Sequence, residues 1–540
     1  MDHNSPSSKA KLPFSLNEMS FIGWIGDLDL DNKAETLSSV SSALKELKQT
    51  PIKEELRYLF LQKLGAIVEQ LSLQLQESYK NSLFPFSKQD TNNIELSAIC
   101  AMEIAQNYKV LCESKGFKSK QMFTPKQKSQ AVYNGIRSLA KQLLYKSMLY
   151  QKPGQGFWEL SFLLYLFAKQ NDVLELEIDF TQSCFLSVFK QILLFELSNT
   201  QQFNTEELLA VFSVLDQFSH HTLLLNKAPE KKFRGLPYIN FRTDAPPALL
   251  KEDVAQQPYF LYISSLNVMK TLVEQSTNKV LLKQCNKSTL MRLTKALTMN
   301  QQRKSERDNV DDGFYALVGF EKVKKLLLAK NKTKSSKKVL APGEVRDLDF
   351  DIEANEIQHI NPEEFRTERE ANLTISTESH IVEYVENTDI WLSKKERARQ
   401  KAKKAVANAA LVDKSSSGYQ LSLKGVTTKV GDIIAVVIAD NIEATVVRRI
   451  VQRKADEIQV GVEVLGNNVE LLHILDRQNK SVPALYLKKE NAVESIIIGI
   501  NDFKNEEYLF VDINDKMDRF RVEKQLNLSS VFIHIKVSPA

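Results

Sequence analysis

Glycine and proline are scarce in this chain, with 17 glycines and 15 prolines among 540 residues. So few residues that break or turn the backbone favour helices with short connections over one large sandwich or barrel. The length exceeds what a single hydrophobic core normally supports, so we expect about two to four domains. The apolar fraction of 43% and the charged fraction of 26% are ordinary for a soluble globular protein.

Cysteine is also rare, and the four cysteines are widely separated: Cys100, Cys112, Cys184 and Cys285. No two of them form a C-x-x-C pair, and no histidine lies at metal-ligand spacing from them. We therefore predict isolated buried thiols in a reducing compartment, with no metal site.

Long hydrophobic runs and a strong net charge are missing as well. The N-terminus has neither a basic nor an apolar segment, which predicts that no secretory signal is present. The most apolar stretch, around Phe157–Ala168, contains Glu159 and is shorter than the roughly 20 residues that span a bilayer. A net charge of +5 is too small to indicate a nucleic acid or an acidic membrane as partner. We expect a soluble cytoplasmic protein without a membrane span and without a nucleic acid partner.

The apolar pattern is helical from about residue 14 to residue 285, after a tail at 1–13 that we expect to be disordered. Asn204-Thr205-Glu206-Glu207 has the pattern of a capping box, which predicts a helix start. Pro246-Pro247 predicts an extended loop, because each proline disfavours helix at the residue before it. A further helical stretch is predicted from about 259 to 299.

Residues 321 to 404 differ from the rest of the chain in charge. Eight lysines lie between Lys322 and Lys338, and ten acidic residues follow between Glu344 and Glu370. Low hydrophobicity with segregated charge is typical of a solvated segment, so we predict a mostly disordered insertion at 331–404. Ser393-Lys394-Lys395-Glu396 resembles a capping box and predicts a basic helix at its end.

From residue 405 onward the apolar period changes towards two, which predicts strands. The candidate strands are Ala405–Val412, Tyr419–Leu423, Ile433–Ile438, Thr445–Val451, Val460–Leu465, Ala484–Leu487, Glu494–Ile500, Tyr508–Ile513 and Val531–Val537. Turns are predicted at Gly425, Gly431-Asp432, Gly466-Asn467-Asn468 and Asn514-Asp515. We assign 286–330 and 405–470 to one small barrel in two segments and 471–540 to a short C-terminal β-module. The predicted fold class is α+β: an N-terminal all-α region, a small antiparallel barrel with a long charged insertion, and that module.

Asp413-Lys414-Ser415-Ser416-Ser417-Gly418 is a D-x-S-x-x-G hexapeptide that opens the strand-rich third of the chain. An R-x-x-x-R sequence, Arg303-Lys304-Ser305-Glu306-Arg307, lies about a hundred residues upstream. The two sequences resemble the two halves of the nucleotide-binding signature of PilZ domains, small β-barrels that bind cyclic di-GMP. The resemblance covers roughly 290–330 and 405–470, and Val460–Leu465 is similar to the closing strand of such barrels. Helices followed by a barrel resemble bacterial multidomain PilZ proteins.

The resemblance implies roles for five residues. Arg303 and Arg307 would close on the nucleotide, and the planar guanidinium suits this because it matches phosphate and the guanine O6/N7 edge. Asp413 and Ser415 would hydrogen-bond the nucleotide, and Gly418 would allow an unusual backbone angle at the strand entry. Cyclic di-GMP is the expected ligand, and no other cofactor is implied.

The wide separation of the two motif halves departs from the PilZ pattern, in which a few tens of residues usually intervene. We predict that Gly313–Gly319 is the first barrel strand and that the insertion follows it, since the entropy of loop closure grows only slowly with length. An alternative is that the basic stretch at 395–401 supplies the arginine role. A second pair, Arg449 and Arg453, lies downstream of the hexapeptide, and we interpret it as solvated strand residues.

Three function classes follow. The first is a cyclic di-GMP receptor or effector, in which nucleotide binding at the barrel is coupled to protein partners of the helical region. The alternative is a PilZ-fold scaffold or adaptor of a surface or motility machine that does not bind nucleotide. An enzyme is the third class, and we predict that the chain is not one, because it contains no Walker A, G-x-S-x-G, H-E-x-x-H or Rossmann sequence.

Overall fold

The computed structural model describes residues 12–80, 82–119, 122–178, 183–227, 235–251, 257–298, 314–336, 408–415, 417–438, 441–454, 457–475, 481–489, 492–499, 507–513, 516–528 and 532–540. In these residues the chain forms a helical region, a four-stranded sheet and eleven further antiparallel strands. The α+β layout predicted from the sequence is thereby confirmed.

The helical region packs around one apolar core. Its helices are α1 (Glu18–Gly26), α2 (Lys33–Gln49), α3 (Glu54–Tyr79), α4 (Lys88–Glu113), α5 (Lys115–Lys118), α6 (Pro125–Met148), α7 (Phe157–Gln170), α8 (Phe185–Leu197) and α9 (Thr205–Phe218). The predicted capping box is confirmed, because the Asn204 side chain accepts from the Glu207 backbone and the Glu207 side chain accepts from the Asn204 backbone. None of the helices in the described ranges combines the length and apolar character of a membrane span.

Four short strands lie inside the region that the sequence predicted to be helical. They are β1 (Leu223–Leu225), β2 (Pro237–Asn240), β3 (Ala248–Leu249) and β4 (Phe260–Ser264), in the order β1-β4-β2-β3. The extended loop at Pro246-Pro247 is confirmed. The helix predicted from about residue 259 is wrong at its start, because Phe260–Ser264 pairs with strands on both sides. Helices α10 (Leu266–Glu274), α11 (Lys279–Gln284) and α12 (Lys287–Leu297) follow.

The first barrel consists of six strands in the order β5-β8-β9-β10-β7-β6. They are β5 (Phe314–Val318), β6 (Asn408–Ser415), β7 (Gly418–Lys424), β8 (Ile433–Ile438), β9 (Asn441–Lys454) and β10 (Glu457–Leu475). The prediction of a first barrel strand at Gly313–Gly319 is confirmed by β5, which pairs with β8 along its length. Alternate residues of β7, Tyr419, Leu421 and Leu423, are buried inside the barrel.

Helix α13 (Phe320–Ser336) follows β5 and lies on the outer side of this barrel. Phe320, Val323 and Leu327 recur at helical spacing and pack against outer residues of β8 and β9. The prediction of a mostly disordered insertion from residue 331 is therefore wrong as far as residue 336. Residues 337–407 lie outside the described residues, so the insertion at 331–404 and its basic helix stay predictions beyond that point.

A second barrel follows, and β10 belongs to both barrels. The remaining strands are β11 (Ser481–Lys489), β12 (Ala492–Gly499), β13 (Tyr508–Ile513), β14 (Lys516–Leu528) and β15 (Phe532–Pro539). The ring closes because β10 pairs with β11 on one side and with β13 on the other. The turn predicted at Gly466-Asn467-Asn468 is wrong, since β10 continues through these residues with two register shifts. Pairing partners on both sides override the local turn preference.

The helical region contacts one end of the first barrel. Phe84 and Thr428 exchange two backbone hydrogen bonds, of 2.9 and 2.7 Å. The Gln151 amide donates to the Gln452 side chain at 2.9 Å. Because the barrel interior and the helical core form one continuous apolar cluster, these parts pack as a unit.

Candidate functional site

The hexapeptide forms the hairpin that joins β6 to β7. Asp413 and Ser415 lie in the last residues of β6, and Gly418 is the first residue of β7. The Ser415 hydroxyl donates to the Gly418 carbonyl oxygen at 3.1 Å, and the Val464 backbone N–H donates to the Ser417 carbonyl at 3.0 Å. These contacts hold the hairpin against itself and against β10.

A β-bulge turns Asp413 towards the outer face of the barrel. Leu411 pairs with Leu421 on the inner face, but the next pair is Asp413 with Gln420, so Val412 is the extra residue. With regular alternation residue 413 would face inward like residue 411. The bulge instead turns Asp413 outward, and Ser415, two residues further along the strand, shares that outer face.

Glycine at position 418 has a steric role, not a conformational one. Its φ angle does not lie in the left-handed region, so the prediction of an unusual backbone angle is wrong. A Cβ atom at this position would lie 2.0 Å from the carbonyl oxygen of Val462. Glycine therefore permits close approach of β7 to β10.

Tyr419 faces the inside of the barrel directly after Gly418. Its hydroxyl donates to the Glu443 carboxylate at 2.5 Å, and burial raises the pKa of Tyr419 above its ordinary value. The Lys414 ammonium lies 5.6 Å from the centre of the Tyr419 ring. The hexapeptide thus sends Lys414 inward and Asp413 and Ser415 outward.

A row of polar side chains crosses the outer face beside the hairpin. Arg449 Nη2 donates to Gln420 Oε1 at 3.1 Å, and Gln420 Nε2 donates to Gln459 Oε1 at 3.0 Å. Arg453 Nε donates to the same Gln459 oxygen at 2.8 Å. The interpretation of this pair as solvated strand residues is confirmed for Arg453, which is exposed on β9, and is wrong for Arg449, which is half-buried. The relation of Arg449 to the hexapeptide became visible only from the strand register.

Arg303 and Arg307 lie outside the described residues, between the end of α12 at Leu297 and the start of β5 at Phe314. Both precede β5 in the sequence, so the position of the start of β5 limits how far they can lie from the hexapeptide. The six strands alternate in direction around the barrel, so β5 and β6 lie side by side and run in opposite directions. The start of β5 is consequently at the end of the barrel where β6 finishes with Ser415.

Helix α12, which precedes the arginine pair, is anchored to the helical region by Arg292. The guanidinium forms an ion pair with Glu207, donates to the Gln202 carbonyl at 2.6 Å and lies 5.2 Å from the centre of the Phe203 ring. Thr289 Oγ1 also donates to Glu207, at 2.9 Å. The sequence identified Glu207 only as a capping residue, and no pattern in it pointed to Arg292.

Comparison with known families identifies the chain. The family model for the N-terminal domain of the cyclic-di-GMP receptor FimW matches residues 20–230, and the model for the middle PilZ domain of FimW matches residues 239–470. The chain belongs to the FimW family of cyclic-di-GMP receptors. No curated protein and no solved structure matches it.

The FimW matches relate the two family domains to the fold. The middle PilZ match begins within β2 and takes in α10 to α12, in addition to the first barrel. The Arg292–Glu207 ion pair therefore joins residues of the two matched domains. Most of the second barrel lies beyond residue 470, outside both matches. In the part of the chain that the structure describes, no cluster of three or more histidine, cysteine or acidic residues could hold a metal ion.

Proposed function

We propose that cyclic di-GMP binds on the outer face of the first barrel, between Asp413, Ser415 and the backbone at Gly418 on one side and Arg303 and Arg307 on the other. The observation that carries this proposal is the bulge before Asp413, which turns both Asp413 and Ser415 to the outer face of the barrel. A carboxylate is acceptor-only, so it suits the N–H groups of a guanine. The Ser415 hydroxyl already donates to Gly418, which leaves its oxygen to accept from the ligand.

Chain reach supports the arginine part of the proposal. Arg307 precedes Phe314 by seven residues, which corresponds to a reach of about 25 Å for an extended chain. Neighbouring strands are about 4.8 Å apart, so this segment is long enough to cross several strands from the start of β5. The distance of about a hundred residues between the motif halves is then no obstacle, because β5 and β6 are neighbours in space.

We further propose that binding changes the contact between the two FimW domains and so acts on a protein partner of the helical region. In the sequence Arg303 lies six residues after the end of α12 at Leu297, and α12 is fixed to α9 through Arg292 and Glu207. A ligand shifts such an arrangement only by its different affinity for the two states. Closure of the segment before β5 over the nucleotide would supply that difference. Because the family is one of receptors, we keep the prediction that the chain has no enzymatic activity.

Isothermal titration calorimetry of cyclic di-GMP into the full chain tests the site. The variants are Arg303→Ala with Arg307→Ala, and Asp413→Ala. We expect each to weaken binding at least tenfold, which corresponds to about 1.4 kcal/mol. Matched controls on β14 remove the same charges far from the site: Arg519→Ala with Arg521→Ala, and Asp518→Ala.

The outcomes separate the alternatives. Binding that survives the arginine substitutions unchanged would transfer their role to the basic stretch at 395–401. Absence of binding by the unmodified chain would contradict the receptor proposal and leave the scaffold alternative. Hydrogen exchange of α9 and α12 with and without nucleotide tests the coupling, which is wrong if exchange changes only in the barrel.

A further inference from the structure

We propose that Arg449 is an additional nucleotide-binding residue, which contacts a phosphate of cyclic di-GMP from the barrel surface itself. This inference rests on the function proposed above and extends the site beyond the two sequence motifs.

The strand register gives Arg449 the same face as Asp413. Asp413 pairs with Gln420, Gln420 with Gly461, and Gly461 with Arg449. Register partners in antiparallel strands project to the same side of the sheet. These four residues therefore form one row across β6, β7, β10 and β9 on the outer face.

Gly461 makes room for the Arg449 side chain to lie along this row. A Cβ atom on Gly461 would be 2.5 Å from Arg449 Nε and 2.7 Å from its Cγ, so the arginine stem lies directly over the glycine. The guanidinium thereby crosses β10 and donates to Gln420 Oε1 on β7 at 3.1 Å. Since Gln420 is the register partner of Asp413, the guanidinium ends about one strand spacing, roughly 4.8 Å, from the strand of the motif aspartate.

The hydrogen bond between Gln420 and Gln459 fixes the orientation of the Gln420 amide, whose oxygen then accepts from Arg449. A guanidinium held in this way is pre-organised, because little side-chain freedom remains to be lost when a ligand binds. Arginine also matches a phosphate with two parallel donors, which lysine does not.

The other two arginines of β9 differ from Arg449 in their contacts. Arg448 is the extra residue of a bulge, and its Nε donates to the Glu463 carboxylate at 2.6 Å. Arg453 is exposed and lies four residues further along β9, away from the row of Asp413. Arg453 is therefore a matched control for the charge and length of Arg449.

Calorimetric titration of cyclic di-GMP into the full chain tests the inference with Arg449→Ala, Arg449→Lys, Gly461→Ala and Arg453→Ala. We expect Arg449→Ala to weaken binding at least tenfold and Arg449→Lys to recover only part of the loss. Gly461→Ala should weaken binding several-fold, because the new methyl group displaces the arginine stem while its charge remains. Arg453→Ala should stay within twofold of the unmodified chain.

Thermal unfolding without ligand controls for the fold. If Arg449→Ala fails to fold, the affinity of Gly461→Ala tests the inference instead. We expect Gly461→Ala to fold, because only the Arg449 side chain must move to admit the new methyl group. The inference is overturned if Arg449→Ala binds cyclic di-GMP within twofold of the unmodified chain. If Arg449→Ala does not fold, the same result for Gly461→Ala overturns it. In both cases the proposed function still stands. An equal loss in Arg453→Ala would also overturn it, because the effect would then be general electrostatics. Failure of the unmodified chain to bind would contradict the proposed function instead.

Discussion

The two barrels share strand β10 yet differ in closure and in the character of their outer faces. The second barrel closes through backbone pairs on both sides of every strand, whereas in the described residues of the first barrel β5 pairs only with β8. Along the chain, α13 and the long charged segment follow β5 and precede β6. It also carries the polar row that contains Asp413 and Arg449 on its outer face.

The second barrel buries both faces of its strands where the two barrels meet. Leu472 and Ile496 belong to its own interior, while Leu485, Ile497 and Phe532 pack on α13 and on outer residues of the first barrel. The two barrels therefore differ in their roles. The second barrel supports one side of the first barrel, and the first barrel carries the polar row on its outer face.

The largest expected effect comes from breaking the contact between the barrels. Phe532 is completely buried in it, so Phe532→Ala should lower the free energy of unfolding by about 3–5 kcal/mol. We expect a single urea transition, measured by circular dichroism, because the barrels share β10 and this core. Phe510→Ala is the control, since that ring is 48% exposed, and it should cost less than about 1 kcal/mol. Two separate transitions would show that the barrels unfold independently.

The next largest effect is the pH dependence of the free energy of unfolding that we expect from His534 in the second barrel. Burial lowers the pKa of His534 to about 4, helped by the charge of Arg448, and the ring hydrogen-bonds Ser495 at 2.8 Å. The unfolded state takes up a proton near pH 6.5, so stability is complete above that pH and falls as the pH drops towards 4. The full loss is about 3 kcal/mol.

Urea unfolding at several pH values, with His534→Gln as the control, measures this loss. The glutamine side chain can still hydrogen-bond Ser495 but does not titrate, so the variant should show a flatter dependence between pH 6.5 and pH 4. Parallel curves for the variant and the unmodified chain would mean that other groups cause the pH dependence.

The sequence predicted correctly those elements that a local residue pattern specifies. Its predictions were wrong where pairing with distant strands determines the structure. The strands of the first barrel followed from period-two alternation, and β5 was found despite the segment that follows it. Gly466-Asn467-Asn468 has turn residues, but β10 continues through them because both barrels pair with it. Phe260–Ser264 is a strand because β1 and β2 flank it, which no local pattern indicates.

The candidate site shows the same limit. The hexapeptide was recognised from residue types alone, and the family match supports the ligand that it implied. Which face Asp413 occupies depends on a one-residue bulge, and the relation of Arg449 to it depends on register across four strands. The spacing of residues within one segment predicts neither the face of Asp413 nor its register relation to Arg449. The roles of Arg303, Arg307, Asp413 and Ser415 stay predictions.

The smallest expected effect on stability comes from replacing Gly418. This substitution tests whether glycine is needed there for steric reasons or for its backbone conformation. Gly418→Ala would bring a methyl group to 2.0 Å from the Val462 carbonyl oxygen, which cannot move without shifting β10. We expect a loss of about 1–3 kcal/mol in unfolding free energy and a weaker affinity for cyclic di-GMP. Gly65→Ala is the control, because nothing lies within 4 Å of its added Cβ and alanine is the better helix former. It should leave binding unchanged and stabilise the fold by up to about 1 kcal/mol. If Gly418→Ala is as stable as the unmodified chain, the backbone at the hairpin yields easily, and the close contact between β7 and β10 is not what requires glycine at this position.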